Sequence, residues 1–308
     1  MIYTINFNPA VDYYLSFKSF KEGELNSPIT DYKLPGGKGI NVSKVLKNYS
    51  VESTCLGFIG GFTGKFIDDK LKEYGIFSNF INIDSDTRIN IKINNDGIET
   101  EVAGIAPEIS SRDYDNLLAK IVDNIQSGDI LVLSGSVPKS MSSDSYAKII
   151  EVLPKDVKVI LDTRGSAFDS ALKKGVFLIK PNRDELKEYF NREFHSIDDI
   201  IRGGQELQSL GAENVIISMG KDGSVFITRD EIYIGNVPKG TLISSVGAGD
   251  SMVAGFIYGI SKNFSIENAY KFSIASGSAT AFSKGLATLE TANTLLNDIV
   301  IKKVEVNK

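Results

Sequence analysis

The 308-residue sequence contains a single cysteine, Cys55, and a single histidine, His195. One cysteine cannot form an intrachain disulfide, and a thiolate metal site is disfavoured. One histidine makes a histidine-based zinc site or a Ser-His-Asp triad very hard to build. We interpret Cys55 as core filling in an apolar strand and His195 as part of a polar surface loop. Zinc-based and triad-based catalysis are therefore disfavoured.

The sequence also lacks long apolar segments and an excess of basic over acidic residues. No apolar run approaches the roughly 20 residues that a membrane helix needs, and no basic region precedes an apolar stretch at the N-terminus. We therefore expect a cytoplasmic protein without a signal peptide. Net charge is −5, with both signs mixed along the chain, so the basic stripe typical of nucleic-acid binders is not seen. A small anionic substrate could still bind through local Lys, Arg and backbone N–H groups.

The remaining composition is that of a globular protein, with 42% hydrophobic and 24% charged residues. Short β-branched runs alternate with amphipathic segments, which predicts a doubly wound, mostly parallel α/β sheet. The predicted strands are 2–7, 53–59, 129–135, 157–162, 176–181 and 214–220. After residue 247 the pattern becomes mostly helical, and the tail is expected to end in a strand. No linker or repeat divides residues 1–308, which predicts a single domain.

Two segments interrupt this alternation. RINIKINNDGIETEVAGI (88–105) has two alternating strands around Asp96-Gly97, which predicts a β-hairpin. A second extended, polar-flanked segment lies between Asp12 and Lys33. We predict that insertions at about 12–34 and 87–106 pair as a small β-sheet lid over the ends of the main strands.

The strongest local motif is SSVGAGDSMVAG (244–255), in which a strand end meets Gly247, Ala248 and Gly249 and a helix then begins at about Asp250. Small residues and free helix N–H groups suit a phosphate. An aspartate there repels the phosphate, so a general base is one interpretation, and a simple helix cap is the other. The dinucleotide fingerprint fails because its third glycine would fall on Met252.

Two further motifs combine turns with polar side chains. In LPGGKGINV (34–42), glycines permit close approach to a ligand beside the donors Lys38 and Asn41; the alternative is a plain turn before a helix. In IKPNRDEL (179–186), Asn182 and Glu185 are three residues apart at a helix start. Their oxygens suit a hydrated Mg²⁺ near phosphates, and the alternative is a capped surface helix.

Together these motifs resemble the ribokinase-like, or PfkB, carbohydrate kinases over essentially the whole chain. Both family signatures occur in the expected order, PGGKGIN early and SSVGAGDSMVAG late. Ser244 stands where the late signature often has Asp or Asn. NPAVD, TRINIKI, SGSVP and KPNRDEL are most similar to the bacterial 1-phosphofructokinase branch, and tagatose-6-phosphate kinases are similar at nearly all these points.

The resemblance implies the site residues. Asp250 would be the base, and the backbone of Gly247, Ala248 and Gly249 would form an anion hole. The implied sugar-binding residues are Asp12, Gly36, Gly37 and Asn41, with Lys38 and Arg88 clamping the phosphate already on the sugar. The implied nucleotide-binding residues are Lys180, Asn182, Ser218, Gly220 and Gly223. Asn182 and Glu185 would organise Mg²⁺.

The implied reaction is ATP-dependent phosphorylation of the C6 hydroxyl of D-fructose 1-phosphate, with Mg²⁺ as cofactor and a second copy of the chain as a partner through the lid. Tagatose-6-phosphate kinase is the alternative within the family. A nicotinamide dehydrogenase is disfavoured by Met252. A non-catalytic sugar-phosphate or nucleotide sensor is also possible on such a fold. The presence of Asp250 disfavours it, because a protein that only binds anions would bind them better without this negative charge.

Overall fold

The computed structural model describes residues 1–304. Its β-strands are β1 (Ile2–Asn6), β2 (Ala10–Phe17), β3 (Thr30–Gly36), β4 (Thr54–Gly60), β5 (Phe77–Ser78), β6 (Ile81–Ile83), β7 (Ile89–Asn95), β8 (Ile98–Val102), β9 (Ile130–Ser134), β10 (Lys158–Asp162), β11 (Val176–Ile179), β12 (Ala212–Ser218), β13 (Ser224–Ile227), β14 (Ile232–Gly235) and β15 (Ile301–Val304). Its α-helices are α1 (Lys38–Asn48), α2 (Gly61–Glu73), α3 (Ser111–Asn124), α4 (Ser145–Val152), α5 (Ser166–Leu172), α6 (Arg183–Phe190), α7 (Ile197–Ser209), α8 (Ala248–Ser261), α9 (Ile266–Ala281) and α10 (Leu289–Leu295).

The main sheet has the strand order β15-β14-β13-β12-β11-β10-β9-β1-β4-β5, with β6 also paired to β4. Its pairs from β12 to β5 are parallel, whereas β13, β14 and β15 are joined antiparallel at one edge. The predicted mostly parallel α/β sheet is confirmed, and each of the six predicted strands is present. β13 and β14 were not predicted. The tail strand is confirmed as Ile301–Val304, and the residues after it lie outside the described part of the chain.

Helices cover both faces of this sheet. One hydrophobic cluster joins the sheet to α3, α4, α5, α6 and α7, and another joins the opposite face to α1, α8, α9 and α10. Such two-sided burial explains why the parallel strands are apolar throughout. Cys55 is buried and His195 is exposed, as the sequence predicts. No helix among residues 1–304 is long and apolar enough to cross a membrane.

A separate sheet has the order β3-β2-β7-β8 and contains both predicted insertions. The β7–β8 hairpin turns at Asp96 and Gly97, both with positive φ, as an Asp-Gly turn requires. Alternation along β7 places Asn90 and Lys92 on one face, where Asn90 donates to Asp12 of the neighbouring strand β2. The opposite, isoleucine-bearing face of β7 remains partly exposed. We call these four strands the small sheet.

The main sheet changes winding direction at its centre. β1 pairs with β4 on one side and with β9 on the other, so the connections leave β1 in opposite directions. In open α/β sheets, ligands bind in the crevice beyond the carboxyl ends of the strands at such a point. The small sheet begins directly after β1, at Ala10, and therefore borders this crevice.

Candidate active site

The first turn of helix α8 has a geometry suited to binding an anion. Its N-cap, Gly247, has φ 77°, a conformation that glycine adopts readily. Ala248 N–H donates to Ser245 O at 3.2 Å, whereas the amides of Gly249 and Asp250 have no backbone acceptor within residues 1–304. The predicted anion hole of Gly247, Ala248 and Gly249 is thus corrected at Ala248, whose amide is already engaged, and the free amide of Asp250 joins the candidates. Free first-turn amides and the helix dipole favour a bound phosphate here.

Asp250 does not cap the helix that contains it. Its Oδ2 accepts a hydrogen bond from Asn41 Nδ2 at 2.8 Å, and α8 has no side-chain cap. Asp250 is only 7% exposed. Burial, and then the negative charge of Asp162, raise its pKa to about 6, while Lys38, Asn41 and Lys180 act in the opposite direction. A carboxylate with such a pKa is suited to accept a proton near neutral pH.

A charge cluster surrounds this carboxylate, with Asp162 and Lys180 buried and Lys38 partly exposed. Lys38 Nζ lies 2.7 Å from Asp162 Oδ1. Lys180 Nζ lies 2.9 Å from the point that a Cβ on Gly249 would occupy, which places its ammonium at the start of α8. Burial raises the pKa of Asp162, but Lys38 and Lys180 together hold it below the ordinary value. The structure thus brings Lys38, Asn41, Lys180 and Asp250 together.

Sequence reasoning missed Asp162. It is 4% exposed and ends β10, which pairs with β9 and β11. A signal was present, since VKVILD closes an apolar strand with an acid. A single acidic residue at a strand end is too common to indicate a site without knowledge of which lysine faces it.

The sugar-binding candidates lie at the base of the small sheet. Asp12 Oδ1 accepts from Asn90 Nδ2 at 2.9 Å, and burial raises the pKa of Asp12. A Cβ on Gly36 would stand 2.3 Å from Asp12 Oδ2, so this residue must be small. Gly37, the N-cap of α1, has φ 131°. Asn90 belongs to this group and was not predicted as a site residue.

Arg88 immediately precedes β7 and contacts Asn8, whereas Lys38 contacts Asp162. The Nη2 of Arg88 donates to Asn8 O at 3.1 Å, and its buried Nε has no hydrogen-bond partner in the described residues. The carboxylates whose charges act on Arg88 are Asp12 and Glu101, both in the small sheet. The structure therefore places Arg88 at the small-sheet side of the crevice.

The nucleotide and metal candidates follow the carboxyl ends of β11 and β12. Asn182 Oδ1 accepts from Glu185 N at 2.8 Å, and Glu185 Oε2 accepts from Asn182 N at 2.9 Å, which forms a capping box on α6. Asn182 also pairs with Ser218 as an isolated bridge. Gly220 and Gly223 flank the turn after β12. The capped-helix interpretation is thus confirmed, while the metal role of this pair stays a prediction.

A cavity of about 810 Å³ separates the small sheet from the main body. Asp12, Asn41 and Gly247 line it, together with Tyr14 and Lys92 of the small sheet. A sugar-sized molecule in this cavity would meet both the Asp12 side and the start of α8. Asp250 does not itself line the cavity, but Asn41 does and is hydrogen-bonded to it. A hydroxyl at this end of the cavity would thus lie near a buried carboxylate and the free amides of α8, which are the groups that phosphoryl transfer requires.

Residues 6–292 match the pfkB family of carbohydrate kinases. The chain belongs to this family. The predicted fold and the predicted ATP-dependent sugar-phosphate kinase class are thereby confirmed.

Individual relatives cover the whole chain. A protein of Bacillus subtilis named 1-phosphofructokinase is 45% identical over 305 residues, 99% of this chain and 100% of the relative. A Bacillus licheniformis protein named D-tagatose-1-phosphate kinase is 35% identical over 98% of this chain and 99% of the relative. A crystallised Staphylococcus aureus protein shares the fold with a TM-score of 0.88, at 43% identity over 99% of both chains.

Proposed function

We propose that this carbohydrate kinase transfers the γ-phosphoryl group of ATP to the C6 hydroxyl of D-fructose 1-phosphate, giving fructose 1,6-bisphosphate and ADP. The observation that carries the proposal is the full-length match at 45% identity to a protein named 1-phosphofructokinase. The buried Asp250–Asn41 pair supports it by supplying a general base.

Asp250 is the base in this reaction. The C6 oxygen forms a bond to the γ-phosphorus while the bond from that phosphorus to the leaving ADP oxygen breaks, and the hydroxyl proton passes to Asp250. Asn41 orients the carboxylate through its 2.8 Å hydrogen bond. The free amides of Gly249 and Asp250, with Lys180 beside them, stabilise charge on the transferring phosphoryl oxygens.

The acceptor lies under the small sheet, which acts as the lid. Asp12, Asn41 and the backbone of Gly36 and Gly37 hold the sugar hydroxyls, and Arg88 binds the phosphate on C1. A guanidinium can bind phosphate through two parallel hydrogen bonds, which an ammonium cannot reproduce. The unpartnered Nε of Arg88 supports this role, because a buried donor without a partner is costly.

The nucleotide lies along the ends of β11 and β12. Lys180 and Asn182 face its phosphates, and Ser218, Gly220 and Gly223 line the rest of its site. In-line transfer requires the nucleotide to reach the transferred phosphoryl group from the side opposite the sugar hydroxyl. Lys180 is 5% exposed and lies at the start of α8, next to the phosphates it would neutralise.

A hydrated Mg²⁺ fits Asn182 and Glu185. Within residues 1–304 no group of three or more His, Cys, Asp or Glu side chains could hold a metal ion. Waters and nucleotide oxygens must therefore complete the coordination, as is usual for Mg²⁺ at phosphates. Glu185 Oε2 is engaged in the capping box, and Oε1 makes no hydrogen bond within the described residues. Bound Mg²⁺ would neutralise negative charge on the phosphates during transfer.

D-Tagatose 1-phosphate is the second candidate acceptor, because the 35% identical relative bears the name D-tagatose-1-phosphate kinase. Tagatose and fructose differ in configuration at C4 alone, so base, anion hole and Arg88 would serve both. An ADP-release assay with both sugar phosphates separates the candidates. A higher kcat/KM with tagatose 1-phosphate than with fructose 1-phosphate would make tagatose 1-phosphate the proposed acceptor.

A second copy of this chain is the proposed partner of the small sheet. The apolar face of the β7–β8 hairpin carries Ile98, 68% exposed, and Val102, 51% exposed. Exposed apolar patches of this kind are often interaction sites. Light scattering after size exclusion should give a dimer, and Ile98→Glu should weaken it. A monomer at micromolar concentration would contradict this part of the proposal.

A further inference from the structure

The Lys38 ammonium is held by the carboxylate of Asp162. Asp162 Oδ1 lies 2.7 Å from Lys38 Nζ, and the Asp162 carboxylate stands on a short side chain at the end of β10. Lys38 has a long flexible stem and a side chain 38% exposed. An ammonium on such a stem keeps one position in a crevice only when a rigid partner holds it, and Asp162 is that partner.

The charges around Lys38 differ from those around Arg88. The carboxylates acting on Lys38 are Asp162, Asp250 and Glu185, which all belong to the catalytic and nucleotide side. Those acting on Arg88 are Asp12 and Glu101, on the small-sheet side. Lys38 contacts Asp162 at the end of β10, whereas Arg88 contacts Asn8 just beyond β1, and β9 lies between these two strands in the main sheet. The two cations are therefore anchored at different places along the crevice. The resemblance to the family implied instead that both bind one phosphate.

We propose that Asp162 is a positioning residue that holds the Lys38 ammonium against the transferring phosphoryl group, and that Lys38 does not bind the acceptor's own phosphate. This inference rests on the proposed kinase reaction. An ammonium has three donors, so one serves Asp162 and two remain for phosphoryl oxygens. Charge moves onto the leaving oxygen during transfer, and a cation already fixed in place needs no reorganisation.

The test is a double-mutant cycle of Asp162→Asn and Lys38→Met, measured with fructose 1-phosphate and ATP at saturating Mg²⁺. Each single change should lower kcat by about 10²-fold, the usual loss for one preorganised electrostatic contact. The KM for fructose 1-phosphate should change little. The double variant should resemble either single variant, because both remove one unit. Lys38→Arg should restore part of the rate.

The acidic limb of the pH profile of kcat/KM is a second readout. General structural damage would lower kcat/KM without shifting the pH at which this limb falls. The groups facing Asp250 are Asp162 from β10, Lys38 and Asn41 from α1, and Lys180 beyond β11. Asp162→Asn removes a negative charge and should move the limb to lower pH. Lys38→Met removes a positive charge and should move it to higher pH. Shifts of equal sign would overturn the inference.

Matched controls come from the exposed Lys65–Asp69 pair on α2. Lys65→Met and Asp69→Asn should leave kcat unchanged. Thermal unfolding checks folding, and if Asp162→Asn fails to fold, the partly exposed Lys38→Met alone decides between loss of kcat and loss of fructose 1-phosphate affinity. A rise confined to KM, additive losses, or an increased Mg²⁺ requirement in Asp162→Asn would each overturn the inference. Lack of wild-type activity on every ketose phosphate would instead overturn the proposed function.

Discussion

An aspartate in the first turn of a helix usually accepts a hydrogen bond from a nearby amide and so caps the helix. Asp250 instead faces Asn41, a residue 209 positions away in the chain. Its charge lies where a phosphate also has to bind, which costs binding energy. A residue that weakens ground-state binding is retained when it acts in the transition state. This is the residue-scale basis for treating Asp250 as a base.

Asp250→Asn should lower kcat by about 10²- to 10⁴-fold, the range typical of general-base catalysis. ATP affinity should be kept or improved, because the substitution removes a negative charge beside the phosphates. Steady-state kinetics and equilibrium ATP binding measure the two effects separately. A variant that keeps most of its turnover would show that Asp250 is structural.

The pKa of Asp250, about 6, predicts the acidic limb of activity. A base must be ionised to accept a proton, so kcat/KM should be constant above this pH and fall about tenfold per pH unit below it. The direction of this pH dependence follows from the raised pKa of Asp250, because protonation near and below pH 6 removes the ionised carboxylate that accepts the proton. A pH profile of kcat/KM with fructose 1-phosphate measures this. A profile still flat a full pH unit below 6 would exclude Asp250 as the titrating base.

Arg88→Ala should weaken fructose 1-phosphate by about 2 to 5 kcal/mol, the cost of removing one partner of a desolvated charge pair. Binding of free fructose should barely change, because it carries no phosphate. Arg88→Lys should recover only part of the loss, since an ammonium cannot make the bidentate contact. Calorimetric titration with both sugars tests this, and equal losses for both would mean that Arg88 supports the small sheet and does not bind the phosphate.

At the scale of secondary structure, one motif can serve two purposes. The Asn182–Glu185 capping box stabilises α6, and in the proposed reaction the same two side chains would border the nucleotide phosphates. Because Gln also forms a capping box, substitution of Glu185 separates stability from metal binding.

Glu185→Gln should leave the melting temperature unchanged and raise the Mg²⁺ concentration for half-maximal rate several-fold. Asn182→Ala should cost about 1 kcal/mol of stability, the usual loss for a removed N-cap. Thermal unfolding and a Mg²⁺ titration at fixed ATP give the two readouts. An unchanged metal requirement in Glu185→Gln would mean that this pair only caps the helix.

The elements differ in how far the sequence predicts them. Apolar runs such as 129–135 and 157–162 correctly predicted parallel strands, because strands that are buried on both faces of a sheet are apolar throughout. The β7–β8 hairpin was predictable from Asp96-Gly97, since few other pairs adopt two positive φ angles. β13 and β14 are short and follow the glycine-bounded turn after β12, so no run was long enough to mark them.

Candidate site residues that belong to a local motif could be predicted from the sequence. Those that depend on contacts between distant segments of the chain could not. Gly247 to Asp250 could be read from four consecutive residues. The contact of Lys38 with Asp162 spans 124 positions, and that of Asn90 with Asp12 spans 78. Neither partner carries a sequence signal of its own, because an acid at a strand end or an asparagine in a hairpin is common.

At the scale of the whole molecule, the winding of the main sheet brings the catalytic parts together. β1 lies between β4 and β9, so the chain leaves it in both directions and opens a crevice at its carboxyl end. Residues of α1, the N-cap of α8 and the small sheet line one cavity beside this crevice, and the first turn of α8 is the proposed anion site.

The central claim is that this molecule phosphorylates a ketose 1-phosphate, with fructose 1-phosphate preferred. The direct test is ADP release by the purified wild-type protein with ATP, Mg²⁺ and, in turn, fructose 1-phosphate, tagatose 1-phosphate, tagatose 6-phosphate and fructose 6-phosphate. We predict that kcat/KM for fructose 1-phosphate exceeds the others by about tenfold or more, a difference that a few polar contacts can supply. ADP release with none of the four, or a higher kcat/KM with either 6-phosphate, would contradict the account.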